Sequence, residues 1–103
     1  MALRTLEKRI RVGGNQEHSG DMKSFELEYY LLESEADNDD AANNRTIYGI
    51  EIVKKTDGGC VENSRFEGIF TDKSRTRELI GTLASNTVTP VSLPYILDDL
   101  LGI

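Results

Sequence analysis

Cysteine, histidine and proline are scarce in this chain, at one, one and two residues. The lone Cys60 excludes an intrachain disulfide, so cysteine usage implies no oxidising compartment. No apolar run approaches the ~20 residues of a membrane-spanning helix. The opening MALRTLEKRIRV also lacks the continuous apolar stretch of a signal peptide, and a cytoplasmic location is expected. Basic residues are outnumbered, 12 Lys and Arg against 18 Asp and Glu, for a formal net charge of −6. That balance argues against non-specific binding to nucleic acid or to an anionic membrane surface.

What is present suffices for a core. The chain has 103 residues, 38% hydrophobic and 29% charged, with no internal repeat. Such a chain buries roughly two-thirds of the surface it would expose unfolded. Residues 1–103 read as one small α+β domain, with 1–22 as a loosely attached strand plus loop.

Strand patterns come first. TLEKRIRV, residues 5–12, alternates Leu6, Lys8, Ile10 and Val12 against Thr5, Glu7, Arg9 and Arg11, as a short amphipathic or charge-rich edge strand does. KSFELEYYLLESE, 23–35, is a second strand that ends in an acidic, Asn-rich loop. RTIYGIEIVKK, 45–55, is a third, rich in β-branched and aromatic residues. Asp-Gly in TDGG then signals a hairpin into a fourth strand. With Asp57, Gly58 and Gly59 as the loop, Lys54 faces Glu62, Glu51 faces Arg65, Ile50 faces Phe66 and Ile47 faces Ile69. Two opposite-charge and two apolar pairs favour this register over one shifted by a residue.

Helical spacing follows. Asp72 or Ser74 can cap SRTRELIGTLASN, whose Leu79, Ile80 and Leu83 form one stripe, and Asn86 suits a left-handed C-terminal position. Ser92 can cap LPYILDDLL, where Leu93, Ile96, Leu97, Leu100 and Leu101 form an amphipathic face. Strands followed by helices, without βαβ alternation, indicate an α+β fold: an antiparallel meander of three to four strands with two C-terminal helices packed on one sheet face.

The second strand is apolar on both faces at Tyr29, Tyr30, Leu31 and Leu32. The helices are expected over Tyr30 and Leu32, together with Tyr48, Ile50, Ile52, Phe66 and Phe70. Phe25, Leu27, Tyr29 and Leu31 then lie on the other face with Ile47, Val53 and Ile69, and a second subunit is the simplest cover. That quartet is the candidate interface, and a homodimer or another protein the expected partner.

Chemistry-bearing motifs are few. His18 lies in a polar loop with no evident orienting partner, and Cys60 follows a turn with no nearby base, so neither forms a catalytic constellation. The loop from Asp37 fails the calcium-loop template, with Ala42 sixth and Tyr48 twelfth. The glycine pairs in VGGN and DGGC read as turns rather than a phosphate-binding loop. Asn44-Arg45-Thr46 matches a glycosylation acceptor but lacks a secretory context. Adjacent Asp98 and Asp99 diverge around their helix. Lys73, Arg75 and Arg77 crowd the start of the first helix and form a candidate anion site.

The stretches FELEYYLLESE, YGIEIVKK and GIFTDKSRTRELIGTLASNTVTPVSLPYILDDLL resemble a family of short uncharacterised proteins from Firmicutes, a domain of unknown function. NTVTPVSLPYILDDLL carries most of the resemblance, which covers roughly residues 23–101. It implies a bacterial cytoplasmic α+β protein and transfers no active site. The first expectation is a non-enzymatic interaction or regulatory module that self-associates through a sheet face, with no cofactor. The alternative is a small-molecule or anion-binding regulator using Lys73, Arg75 and Arg77.

Overall fold

The computed structural model describes residues 3–13, 24–35 and 46–102. His18, the 36–44 loop and most of the glycosylation-like triplet lie outside them. The chain forms strands β1 (Leu3–Val12), β2 (Phe25–Glu35), β3 (Thr46–Thr56) and β4 (Val61–Phe70), then helices α1 (Lys73–Ser85) and α2 (Leu93–Leu101). The strands make one antiparallel sheet in the order β1-β2-β3-β4, which is the expected α+β meander with two C-terminal helices. β1 pairs with β2 from Leu3 to Val12 as an edge strand, and residues 14–22 of the segment read as a strand plus loop lie outside the described residues.

The β3–β4 hairpin closes as its residues dictate. Gly59, with φ 94°, donates its N–H to the Thr56 carbonyl at 2.9 Å, and Thr56 N–H donates to the Cys60 carbonyl at 2.9 Å. Only glycine takes that φ at no steric cost, which sets the three-residue loop. Lys54 consequently faces Glu62, Glu51 faces Arg65 and Ile50 faces Phe66, as expected. Further along, the expected Ile47–Ile69 pair gives way to Tyr48 opposite Phe70. Gly49 alone spans the β4 residues Glu67, Gly68 and Ile69, and Gly68 makes the bulge at φ 66°.

The faces of β2 are the reverse of those expected. Leu31 lies opposite Ile50 and Tyr29 opposite Ile52, so Leu27, Tyr29 and Leu31 share a face with the β3 core residues. They pack with Ile80, Leu83, Leu93 and Leu97 of the two helices in one buried cluster, with Phe25 at its margin. Tyr29 is fully buried, and its hydroxyl donates to the Val88 carbonyl at 2.8 Å. Burial pushes that phenol up to about 12. The candidate interface quartet is therefore the helix-covered core, and its apolar surface is not open to a second subunit.

Two cap assignments also change. Asp72 is the α1 N-cap, its carboxylate accepting from Arg75 N–H at 3.2 Å, while Asn86 keeps φ −98° and its neighbour Thr87 takes the left-handed turn at φ 53°. Ser92 is helical and makes no side-chain cap bond, so α2 begins instead on the Leu93 N–H to Thr89 carbonyl bond at 3.1 Å.

Two glycines separate close approach from open space. A Cβ on Gly49 would strike the Phe66 carbonyl oxygen and sit 2.8 Å from Glu67 Cα, whereas one on Gly81, inside α1, would meet nothing within 4 Å. In urea unfolding, Gly49→Ala is expected to lose about 3 kcal/mol or more. Gly81→Ala is expected to gain about 0.5–1 kcal/mol from helix propensity.

Candidate functional site

The sheet face away from the helices has no second layer among the described residues, yet it carries the most connected polar cluster among them. A bulge between Leu6 and Lys8 switches the side-chain alternation of β1. Arg4 and Leu6 before it, opposite Leu32 and Tyr30, thereby share this open face with Arg9 and Arg11 after it, opposite Glu28 and Glu26. Strict alternation would split these arginines between two faces, and a bulge leaves no mark in a polarity pattern. β3 adds Glu51, Val53 and Lys55, and β4 adds Asn63 and Arg65.

Two carboxylates anchor the cluster. Glu28 accepts from the Tyr30 hydroxyl at 2.8 Å and from Arg9 Nη2 at 3.1 Å, with Lys55 Nζ at 3.2 Å. Glu51 accepts from Arg4 Nε at 2.7 Å and from Asn63 Nδ2 at 3.0 Å, with Arg65 Nη1 3.9 Å away. Arg4 crosses over β2 to reach Glu51, and its guanidinium lies 3.7 Å from the centre of the Tyr30 ring, so the two halves join through a cation–π contact. Leu32 and Val53 are buried beneath the same face.

The layering is one-sided. Glu28 and Glu51 are only 2% and 5% exposed, while the side chains of Arg4, Arg9, Arg11, Lys55 and Arg65 are between 40% and 59% exposed. Long basic side chains reach across the sheet while their charged heads keep water, and the short acids have no such freedom. Every buried side-chain polar atom among the described residues has a hydrogen-bond partner. Burial alone would push the Glu28 carboxyl up, but hydrogen bonds from Tyr30, Lys55 and Arg9 outweigh it and hold it below its ordinary value. Burial, reinforced by the Glu28 carboxylate, pushes the Tyr30 phenol up.

The three cations at the α1 start do not converge. Lys73 lies 3.4 Å from Glu33, Arg75 4.0 Å from Asp72 and Arg77 2.9 Å from Glu7, so each turns to a different carboxylate. The cavity of about 360 Å³ beside the helix start takes only Arg75 of the three, with Ile69, Phe70, Thr71 and Asp72. A larger groove of about 650 Å³ runs between β1 and α1 past Lys8, Ile10, Glu78 and Gly81. Cys60, Asp98 and Asp99 are exposed. Among the described residues no group of three His, Cys, Asp or Glu could hold a metal ion, and no helix is long and apolar enough to cross a membrane.

Residues 8–102 match a family of unknown function, DUF6514. The chain belongs to that family. The match takes in both helices and every strand except the first half of β1, so it includes Arg9, Arg11, Glu28, Glu51 and Arg65 but not Arg4. No curated protein and no solved structure matches the chain.

Because the folded Glu28 carboxyl lies below its ordinary value of 4.5, it contributes stability above that pH which is lost as pH falls through the folded value. Glu28→Gln is expected to cost about 1–2 kcal/mol near neutral pH, since the orphaned cations can rehydrate. The gap between wild type and variant should narrow in urea titrations below the ordinary carboxyl range. A gap that stays constant down to the acid limit would contradict the network.

Proposed function

We propose that this protein is a non-enzymatic interaction module that binds another protein chain through its open sheet face. The observation that carries this reading is the set of half-exposed basic side chains held in place over Glu28 and Glu51, beside the stacked Tyr30 and exposed Leu6. Arg and Tyr are the residues that anchor interfaces most often, and side chains already fixed by ion pairs lose less freedom on docking. Self-association through the apolar quartet loses its basis, because Leu27, Tyr29 and Leu31 are closed off by the helices. The anion-binding alternative is weaker on geometry, since Lys73, Arg75 and Arg77 point to separate partners. A reducing, cytoplasmic setting suits the exposed thiol of Cys60.

A photo-crosslinking amino acid placed at Leu6 on the open face, and separately at the exposed Tyr95 of α2, tests the choice of face in cells. A discrete protein adduct from position 6 and none from position 95 is expected. Adducts from position 95 alone, or from neither, would overturn the reading.

A further inference from the structure

We infer that the partner of the open face is an acidic protein segment, whose carboxylates are received by the outward guanidinium and ammonium groups of Arg4, Arg9, Arg11, Lys55 and Arg65. This rests on the interaction reading above and adds the chemistry of the partner.

The charges of this face lie at different depths. Cations and carboxylates are balanced on this face: Glu28 and Glu51 lie beneath Arg4, Arg9, Lys55 and Arg65, while Glu26, Asp57 and Glu67, 28–52% exposed, flank Arg11 and Arg65 at the surface. An arriving carboxylate meets a guanidinium at hydrogen-bond distance before it meets the buried acid below, so attraction exceeds repulsion at contact. The arginines keep donors for it. Arg4 commits Nε to Glu51, and Arg65 commits Nη2 to Glu67 at 2.8 Å with Nη1 3.9 Å from Glu51, yet both side chains stay 40–44% exposed and a guanidinium carries five N–H donors, more than these bonds use. Reserve donors of that geometry suit a carboxylate.

The net charge of −6 does not oppose this. Screening confines the remote acids of the chain to roughly 8 Å in physiological salt, so the local layer governs contact. Nucleic acid fits less well. A duplex presents a charge about every 1.7 Å and binds by releasing counterions to an excess of cations, which a balanced face does not offer. Separate carboxylates on a peptide can each take one cation. A second copy of the same face fits worst, because it would bring exposed cations against exposed cations.

The probe is a fluorescent octaglutamate peptide, titrated against the full chain with an oligothymidylate of equal charge as comparison. Saturable peptide binding that weakens with added salt and exceeds oligothymidylate binding is expected. Arg11→Gln with Arg65→Gln should lower the peptide affinity at least about tenfold. This pair leaves no buried carboxylate alone, since Asp57, Glu26 and Glu67 are 28–52% exposed and Glu51 keeps Arg4 and Asn63. A thermal melt confirms that the variant is folded. Lys73→Gln with Arg75→Gln should leave the affinity unchanged. No peptide binding, equal or tighter binding to oligothymidylate, or insensitivity to the Arg11 and Arg65 pair would overturn the inference. If the crosslinker at position 6 captures a chain whose contacting segment is not acidic, the interaction reading stands and this inference alone falls.

Discussion

Glu28 cannot go under the helices, and most of the architecture follows from that. β2 offers two alternating sets, Phe25, Leu27, Tyr29 and Leu31 against Glu26, Glu28, Tyr30 and Leu32. Only the first is wholly apolar. Turning the second set inward would place two carboxylates against Ile80, Leu83 and Leu97, where an unpaired charge costs several kcal/mol. With Tyr29 inward, Glu28 lies on the open face, and the neighbouring strands must supply its cations. The bulge in β1 brings Arg9 to Glu28 on the same side of the sheet as Arg4, which pairs with Glu51, and Lys55 closes on Glu28 from β3.

Much of the fold is legible in the sequence for local reasons. The β3–β4 register follows from the Asp-Gly-Gly loop and from paired charges, and both helices follow from apolar spacing. The parity of β2 was harder to read, because Tyr29-Tyr30-Leu31-Leu32 satisfies a core face either way and its connection to β3 is too long to set a register. The signal lies just before that stretch, in Glu26 and Glu28, three residues and one residue ahead of Tyr29. Pairing an apolar face with two acids is worse than pairing it with none, and that comparison decides the faces where local hydrophobicity does not. Bulges are a different case. The switch at Glu7 and the excursion at Gly68 arise from strand pairing, so residue types alone do not announce them.

Of the candidate site only the Glu51–Arg65 pair follows from the hairpin; the rest is hidden for the same reason. Arg4 and Glu51 are 47 residues apart, and Arg9 and Glu28 are 19 apart, so only the sheet order brings them together. By contrast Lys73, Arg75 and Arg77 are close in sequence and diverge in space, each drawn to its own carboxylate. Clustering along the chain is a poor guide to convergence when neighbouring elements supply counter-charges. As a stability device the open-face network has limited value, since exposed cations over buried acids recover little beyond the desolvation of those acids. Its clearer effect is geometric: it holds a layer of basic groups outward on the sheet face that no helix covers among the described residues.

The parity of β2 is tested most directly by placing one lysine on each side and measuring thermal unfolding of Tyr29→Lys and Tyr30→Lys. Tyr29→Lys is expected to fail to fold or to melt far below wild type, because the ammonium would sit in the buried cluster without a counter-ion. Tyr30→Lys, at a partly buried position beside Glu28, should stay folded with a modest loss. The reverse order, a folded Tyr29→Lys and an unfolded Tyr30→Lys, would contradict the assignment of faces and with it the open basic surface.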